Sequence, residues 1–415
     1  MKKIEVAIIG GGAAGFFAAV NCAATNQHSH VTIFEKTNKL LAKVRISGGG
    51  RCNVTHACFD PARLVDYYPR GKKELRSPFS KFNAQHTVEW FSERGVQLKT
   101  EVDGRMFPFT DDSETIINCL IQEADRFSVE IKLHHSVEQI RKKEDNTFEI
   151  TFKDGAKFSC DKVIVTTGGS PNLNNYGWLT KIGHTIVSPV PSLFTFNIPA
   201  SPLKGLEGVS VANAGISIEG TKIKENGPVL VTHWGLSGPA IIRLSALAAR
   251  WLHDVDYFTT IYINWLGEYD EAALQEVILS LKKNSSTKKV ISSSPFLLPQ
   301  RLWERLCDFS GIEETINYAD LKKTQINTLC STLLKMPFKL RGKTTYKEEF
   351  VTCGGVSLKE VDLRTMESRI VHGLYFAGEV LDIDGVTGGF NFQSAWTTGW
   401  IAGTNAGCFS TANTK

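Results

Sequence analysis

Residues 4–15 read Ile-Glu-Val-Ala-Ile-Ile-Gly-Gly-Gly-Ala-Ala-Gly, and Val31-Thr-Ile-Phe-Glu35 follows an Ala-rich stretch that begins at Phe16. The apolar run ends at Gly10, and Gly10, Gly12 and Gly15 stand in G-x-G-x-x-G spacing. A strand, a glycine turn, a helix and a second strand ending in an acid form a dinucleotide-binding unit. Its first glycine permits the tight turn, its second lets backbone approach a pyrophosphate, and its third packs helix on strand. The pyrophosphate is expected at the positive end of the helix dipole, on the backbone around Gly12, Ala13 and Ala14. Glu35 is expected to accept the adenosine ribose hydroxyls, with Lys36 beside it. Its charge disfavours a 2′-phosphate there.

Outward from this unit, the chain has 415 residues, too many for one ordinary core, so two or three domains are expected. A hydrophobic share of 42% and a charged share of 22% suit a globular enzyme. The net charge of +4 is too small to argue by itself for a polyanionic partner. No apolar run approaches the roughly 20 residues of a membrane helix. The amino terminus has two lysines before an apolar run, but its glycines and Glu5 fit a buried first strand better than a secretory leader. A cytoplasmic location is expected. The nine cysteines show no C-x-x-C pair, which points away from a disulfide framework, a zinc site or an iron–sulfur cluster, and no metal ligand set is assigned.

Residues 36–82 read as irregular. Helices are expected near 85–94 and 112–126, strands near 96–101 and 129–133, and a β-meander over 136–160. From about 191 to 268 short β-type runs alternate with glycines and prolines. Residues 269–345 turn helical, and 346–415 return to strand, beginning near 347–352, and then to a final helix. The expected organisation is an α/β, Rossmann-like domain in two parts, 1–190 and 346–415. It is interrupted by a β-rich, barrel-like insertion (191–268) and a helical one (269–345), both on the substrate side.

Three further segments carry chemistry. Ile46-Ser47-Gly48-Gly49-Gly50-Arg51-Cys52-Asn53 places three consecutive glycines where neither strand nor helix gains from them, so backbone is expected to approach a flat or anionic ligand. Arg51 would supply a charge for a phosphate or an anionic substrate, Asn53 an amide, and Cys52 is read as packing rather than redox-active. Val163-Ile-Val-Thr-Thr167-Gly168-Gly169 is a buried strand ending in glycines. Gly378-Glu379-Val-Leu-Asp-Ile-Asp384-Gly, followed by Gly388-Gly389-Phe390-Asn391, is a second glycine loop opening a helix. Amides near Gly389, Phe390 and Asn391 would stabilise negative charge on a reduced flavin, and Glu379, Asp382 or Asp384 would bond a ribityl chain. A nicotinamide-only dehydrogenase does not need this second loop, which shifts the cofactor from NAD to FAD.

These motifs, with Thr232-His-Trp-Gly-Leu-Ser-Gly-Pro-Ala240, Gly354-Gly-Val-Ser-Leu-Lys-Glu-Val361 and Thr365-Met-Glu-Ser368, resemble in order and over nearly the whole chain the YhiN/BaiN-like (HI0933-type) flavoproteins. The resemblance implies non-covalent FAD, a Rossmann-like domain in several segments and an inserted β-barrel and helical part. It also implies ene-type reduction of steroid-like ketones or oxidation of small amines. Gly168-Gly-Ser-Pro-Asn-Leu-Asn-Asn-Tyr-Gly-Trp178 departs from the family pattern, although Gly183-His184 is kept, and Lys43 and Arg45 sit in a longer connection before the glycine loop.

The function expected from these readings is hydride transfer between FAD and a small organic substrate. His233 is the candidate proton donor, and Lys43 joins Ser47 and its neighbours among the candidate cofactor residues. No separate nicotinamide-binding segment stands out, so NAD(P)H, where used, would be a visiting co-substrate. The basic stretch Arg70-Gly-Lys-Lys-Glu-Leu-Arg76, with Lys81, reads first as a solvated face, so a nucleic-acid partner is not favoured. It keeps open a flavin-dependent RNA-modifying or RNA-binding protein, and an FAD-binding module without turnover is a third reading.

Overall fold

The computed structural model describes residues 3–267, 269–342 and 351–408. The chain forms two compact units, Met1–Pro191 with Val351–Lys415, and Ser192–Phe350. Of the strand expected at 347–352, residues 347–350 lie outside the described residues, as does the boundary at 345–346. Val351–Val356 is a strand.

In the first unit Ile4–Ile9 lies between Ser29–Phe34 and Lys162–Val165, parallel to both, with Ile8 opposite Ile33 and Ile164. Glu130–Lys132 extends the sheet beyond Ser29–Phe34, and Leu374–Phe376 extends it beyond Lys162–Val165, again in parallel. Val6, Ala7 and Ile8 are fully buried, as both-faced coverage of a parallel sheet requires. The short strands Glu367–Ser368 and Val361–Asp362 add an antiparallel edge. Strand order reverses beside Ile4–Ile9, the position where doubly wound sheets open a crevice for ligands.

Helix Ala13–Thr25 follows the first strand directly, and Ser113–Arg126 starts on Asp112, whose carboxylate accepts from Glu114 N at 2.9 Å. The meander Val137–Lys142, Phe148–Phe152 and Lys157–Cys160 leads into Lys162–Val165. Residues 36–82, expected to be irregular, hold short helices at Ala42–Ile46, Pro61–Leu64 and Arg76–Lys81.

The helix Phe390–Gly407 runs alongside Ala13–Thr25 in the same direction. A Cβ at Gly399, Gly403 or Gly407 would stand 2.9, 2.3 or 2.7 Å from the carbonyl oxygens of Ala14, Ala18 and Cys22. Close approach on a four-residue repeat therefore fixes the register of the pair. Gly389 caps one helix ten residues before Gly399, and Gly12 caps the other two residues before Ala14. At 1.5 Å per residue the two amino ends are staggered by about 12 Å.

The second unit is one antiparallel sheet in the order Phe196–Asn197, Gly235–Ser237, Lys224–Thr232, Ser210–Ile218, Phe258–Asn264 and Met336–Arg341. Asn197 Nδ2 donates to Arg341 O at 3.2 Å, drawing the two edges together in a barrel-like curl. Helices Glu271–Asn284, Gln300–Phe309 and Lys323–Lys335 share one core with this sheet through Trp265, Leu274, Trp303 and Leu333. The β-rich and helical stretches thus form a single body.

Candidate active site

The amino-terminal glycine turn is shaped by what it excludes. Gly10 has φ +115°, and a Cβ there would lie 2.6 Å from Thr166 O. A Cβ at Gly15 would lie 1.9 Å from Gly10 O. Thr166 Oγ1 donates to Gly10 O at 2.9 Å and secures the crossing. Gly12, by contrast, faces open space, with nothing within 4 Å of a Cβ. It caps the helix with no side-chain bond, so the first amides, Ala13 and Ala14 among them, have no intrahelical acceptor. Glu35 Oε2 accepts from Gly11 N at 2.9 Å, and its Oε1 accepts from Thr37 N at 2.9 Å. The carboxylate is thereby aimed at the turn while keeping lone pairs for further donors. Lys36 beside it is exposed.

The second glycine loop, Ser47 to Asn53, turns through Gly48, Gly49 and Gly50 at φ +58°, +71° and +88°. Gly49 and Gly50 also border open space. Asn53 locks this loop to the far end of the chain. Its amide nitrogen donates to Thr55 O and its oxygen accepts from Gly389 N, both at 3.0 Å. A Cβ at Gly389, which has φ +93°, would sit 2.5 Å from Thr55 O. Cys52 is fully buried, and burial pushes its thiol up to about 12, so it stays a neutral packing group. Arg51, which the sequence offers to a phosphate or an anionic substrate, is held within the chain. Its Nη1 meets Glu101 at 2.7 Å and Asp111 at 3.5 Å, and its guanidinium lies 4.0 Å from the Phe107 ring centre.

The helix start at Phe390 is tied down by side chains from four segments. Gln393, fully buried, accepts from Thr55 Oγ1 at 2.6 Å and Thr87 Oγ1 at 2.9 Å. Asn391 makes a pair of 2.9 Å bonds with the backbone of Gly385. Tyr68 OH donates to Phe390 O at 2.6 Å, and Tyr67 stacks on the Phe390 ring at 4.2 Å. His56 stacks on the same ring at 4.8 Å, and burial lowers its pKa. None of Thr55, Thr87, Gln393, Tyr67, Tyr68 or His56 was singled out from the sequence as a site residue. Only Gln393 carries a local signal, two residues after the Gly-Gly-Phe-Asn motif.

Between the two helix starts lie the strand ends. A Cβ at Gly378, with φ +76°, would meet Ala14 Cβ at 2.8 Å. Glu379 accepts from Thr352 N at 2.9 Å and from Lys43 Nζ at 2.6 Å, and a Cβ at Gly169 would strike it at 2.7 Å. Thr167 is exposed, and Gly168 faces open space. Asp384, expected beside a cofactor, is fully buried and paired with Arg70 through both carboxylate oxygens. His233 lies in the second unit, exposed, in the turn between Lys224–Thr232 and Gly235–Ser237.

The residues present fit a dinucleotide. Gly12, Gly49, Gly50 and Gly168 border open space, and two glycine-capped helix starts carry no side-chain cap to compete with a ligand. A doubly wound sheet with this pair of helix starts defines the class of FAD-binding oxidoreductases, flavoprotein enzymes. Within that class the chain belongs to the family described as HI0933-like protein Rossmann domain, whose profile matches residues 4–405.

The chain is 30% identical to a ribosomal RNA dihydrouridine synthase of Escherichia coli over 96% of this chain and 97% of that one. It is 27% identical to a 3-dehydro-bile acid delta(4,6)-reductase of Clostridium scindens over 96% and 98%. Its fold is like that of a 3-ketosteroid-delta4-(5alpha)-dehydrogenase from Rhodococcus jostii RHA1, with TM-score 0.51, 12% identity and coverage of 99% and 98%. It is also like a 3-ketosteroid delta1-dehydrogenase from Sterolibacterium denitrificans, with TM-score 0.52, 10% identity and coverage of 98% and 100%. Among the described residues no helix is long and apolar enough to cross a membrane.

Proposed function

We propose that this chain is an FAD-dependent reductase that saturates a carbon–carbon double bond conjugated to a carbonyl. The observation that carries the reading is the staggered pair of glycine-capped helix starts, Gly12 and Gly389, on either side of open-faced glycines. FAD, when bound, supplies hydride exchange at its ring system. The chain's part is to hold the two ends of that molecule apart and in register. Gly12, Ala13 and Ala14 would offer amides to the pyrophosphate, and Glu35 would accept from the adenosine ribose. Ser47 to Asn53 would hold the ring end, and the helix start at Gly389, Phe390 and Asn391 would offer its positive end to negative charge there.

The substrate class is supported by the chemistry common to the relatives' names. Dihydrouridine is uridine with two hydrogens added across a double bond conjugated to a carbonyl, and a delta(4,6)-reductase acting on a 3-dehydro bile acid addresses the same electronic arrangement. Hydride goes to the carbon remote from the carbonyl and a proton from the medium to the nearer one, so electrons and atoms balance. NAD(P)H is proposed as the visiting source of electrons.

The test is anaerobic reduction of the yellow holoprotein by NADH or NADPH, followed by addition of a 3-oxo-4-ene steroid or a uridine-containing RNA. Recovery of the oxidised flavin spectrum without oxygen, with saturated product, is expected. Protein that takes up no FAD would refute the reading, as would reduced flavin that neither acceptor reoxidises, or bleaching by a primary amine alone.

A further inference from the structure

Both crossings of the chain between the two units run through one short ribbon. The chain leaves the first unit after Pro191 and returns at Val351, and strand Ile186–Ser192 pairs with Val351–Val356. A Cβ at Gly354, with φ +108°, would stand 2.6 Å from Ser188 O, so the two strands meet backbone to backbone. At one end of the ribbon Thr352 N donates to Glu379 at 2.9 Å. At its root Thr185 O accepts from Ser357 N at 3.0 Å, and Thr185 N donates to Glu360 Oε2 at 2.9 Å. The residue before Thr185 is His184, which lies outside the candidate site.

His184 is buried between Glu360, Ser368 and Phe376. Its ring meets Phe376 edge-on at 4.8 Å, its Nδ1 stands 3.3 Å from Glu360 Oε2, and its Nε2 stands 3.0 Å from Ser368 Oγ. These bonds fix where the hydrogens sit. Ser368 Oγ accepts from Ile370 N at 3.0 Å and from Val371 N at 2.8 Å. Both of its lone pairs are thus used, and its single hydrogen is left for His184 Nε2. Nε2 must therefore be bare, with the ring hydrogen on Nδ1 and donated to Glu360. A second ring proton on Nε2 would point at an oxygen with no lone pair to receive it. The ring can be protonated only by giving up its Ser368 bond or one of the two backbone bonds.

Burial lowers the pKa of His184, and Glu360 acts in the opposite sense. Burial pushes Glu360 up, but its bonds from Thr185 and His184 bring it below the usual range, so it stays ionised. The other charged side chains on the surrounding segments are engaged elsewhere. Asp362 pairs with Arg364 at 2.8 Å, Glu367 with His372 at 2.7 Å, and Arg369 with Asp362 at 4.0 Å. Lys181 and Lys359 are exposed.

We propose that His184, Glu360 and Ser368 form an acid-released latch on the root of the ribbon, and so on the strand that bonds Glu379 through Thr352. The inference goes beyond the reductase reading and does not rest on it. Above the ordinary histidine range the ring is neutral whether the root is closed or open, and the latch holds. As pH falls below about 6.5, an opened root takes up a proton that the closed one excludes, so closure loses free energy. One unit lower, at about pH 5.5, the open population should have risen by up to about tenfold.

The experiment is hydrogen exchange read by mass spectrometry on the full-length holoprotein, corrected for the intrinsic pH dependence of amide exchange. Between about pH 7.5 and about pH 5.5, protection of peptides spanning 185–190 and 351–357 should fall several-fold, up to about tenfold. The meander, residues 137–160, should keep its protection. His184→Gln cannot titrate and should show the same ribbon protection at both pH values, whatever its level. Glu360→Gln removes the charge that favours the protonated ring and should move the fall to lower pH. In protein carrying isotope-labelled histidine, the His184 resonances at neutral pH should report a hydrogen on Nδ1. Wild-type ribbon protection that ignores pH would overturn the latch, as would a fall that persists in His184→Gln or a ring hydrogen found on Nε2. Equal loss of protection in the meander would show general acid loosening and would overturn it too. The tautomer and the Glu360→Gln profile keep the test decisive if His184→Gln does not fold. None of these results bears on whether reduced flavin passes electrons to an enone, which the spectral test reads separately.

Discussion

The two helix starts of the first unit are held by different means. Around Gly12 the grip is backbone on backbone, with Gly10 against Thr166 O and Gly15 against Gly10 O, where no Cβ has room. Around Gly389 the grip is mostly side-chain hydrogen bonding and charge. Asn53, Asn391, Gln393, Tyr68 and the Arg70–Asp384 pair come from segments more than three hundred residues apart. At the first end Gly10 and Gly15 admit no side chain because close approach defines them, whereas Gly12 between them has open space. The second is held by side-chain bonds that can each be altered singly.

The sharpest way to break this contrast is at the first end. Gly15→Val would force two methyl groups into the space occupied by Gly10 O, and we expect a cost of more than about 3 kcal/mol with loss of bound FAD. Yellow, wild-type-stable protein in a thermal melt would show that the turn is not closed as described. At the second end Asp384→Ala leaves Arg70 without its main buried partner and is expected to cost about 3–5 kcal/mol. A shift of only a degree or so on melting would show that the clasp is dispensable. The smallest effect is expected at the join between them. Lys43, 56% exposed, pairs with Glu379, 18% exposed, and solvent screening limits Lys43→Ala to less than about 1 kcal/mol of stability. A larger loss of stability in the FAD-free protein would mean that the pair, not the helix register, joins the two ends.

The same contrast governs what could be read before any coordinates. The first end is contiguous, and Gly10, Gly12, Gly15 and Glu35 announce strand, turn, helix and strand within thirty-odd residues. The second depends on neighbours that spacing does not reveal. Arg51 looks like a phosphate ligand until Glu101 and Asp111 are brought to it by the hairpin Leu98–Thr100 and Arg105–Pro108. Asp384 looks like a ribityl contact until Arg70 meets it. In the second unit, strand Lys224–Thr232 was hidden by Asn226-Gly227-Pro228, which reads as a turn. There Gly227, with φ +141°, lies opposite Ala214 beside a bulge that absorbs the break. Helix Pro239–Leu247 was hidden likewise, because Gly238-Pro239 punctuates a loop as readily as it opens a helix.

The glycine seam between Phe390–Gly407 and Ala13–Thr25 acts as a gauge. Sliding one helix by a single residue would bring Trp400, Thr404 and Cys408 against carbonyl oxygens that admit no side chain. The interval between the two positive helix ends is thus written into the spacing of Gly399, Gly403 and Gly407 and does not depend on how the loops settle. A flavin mononucleotide shares its ring, ribityl chain and first phosphate with FAD and would span the same interval, so the gauge would measure the flavin half of the cofactor and leave any preference for the longer one to the side of the turn where Glu35 stands.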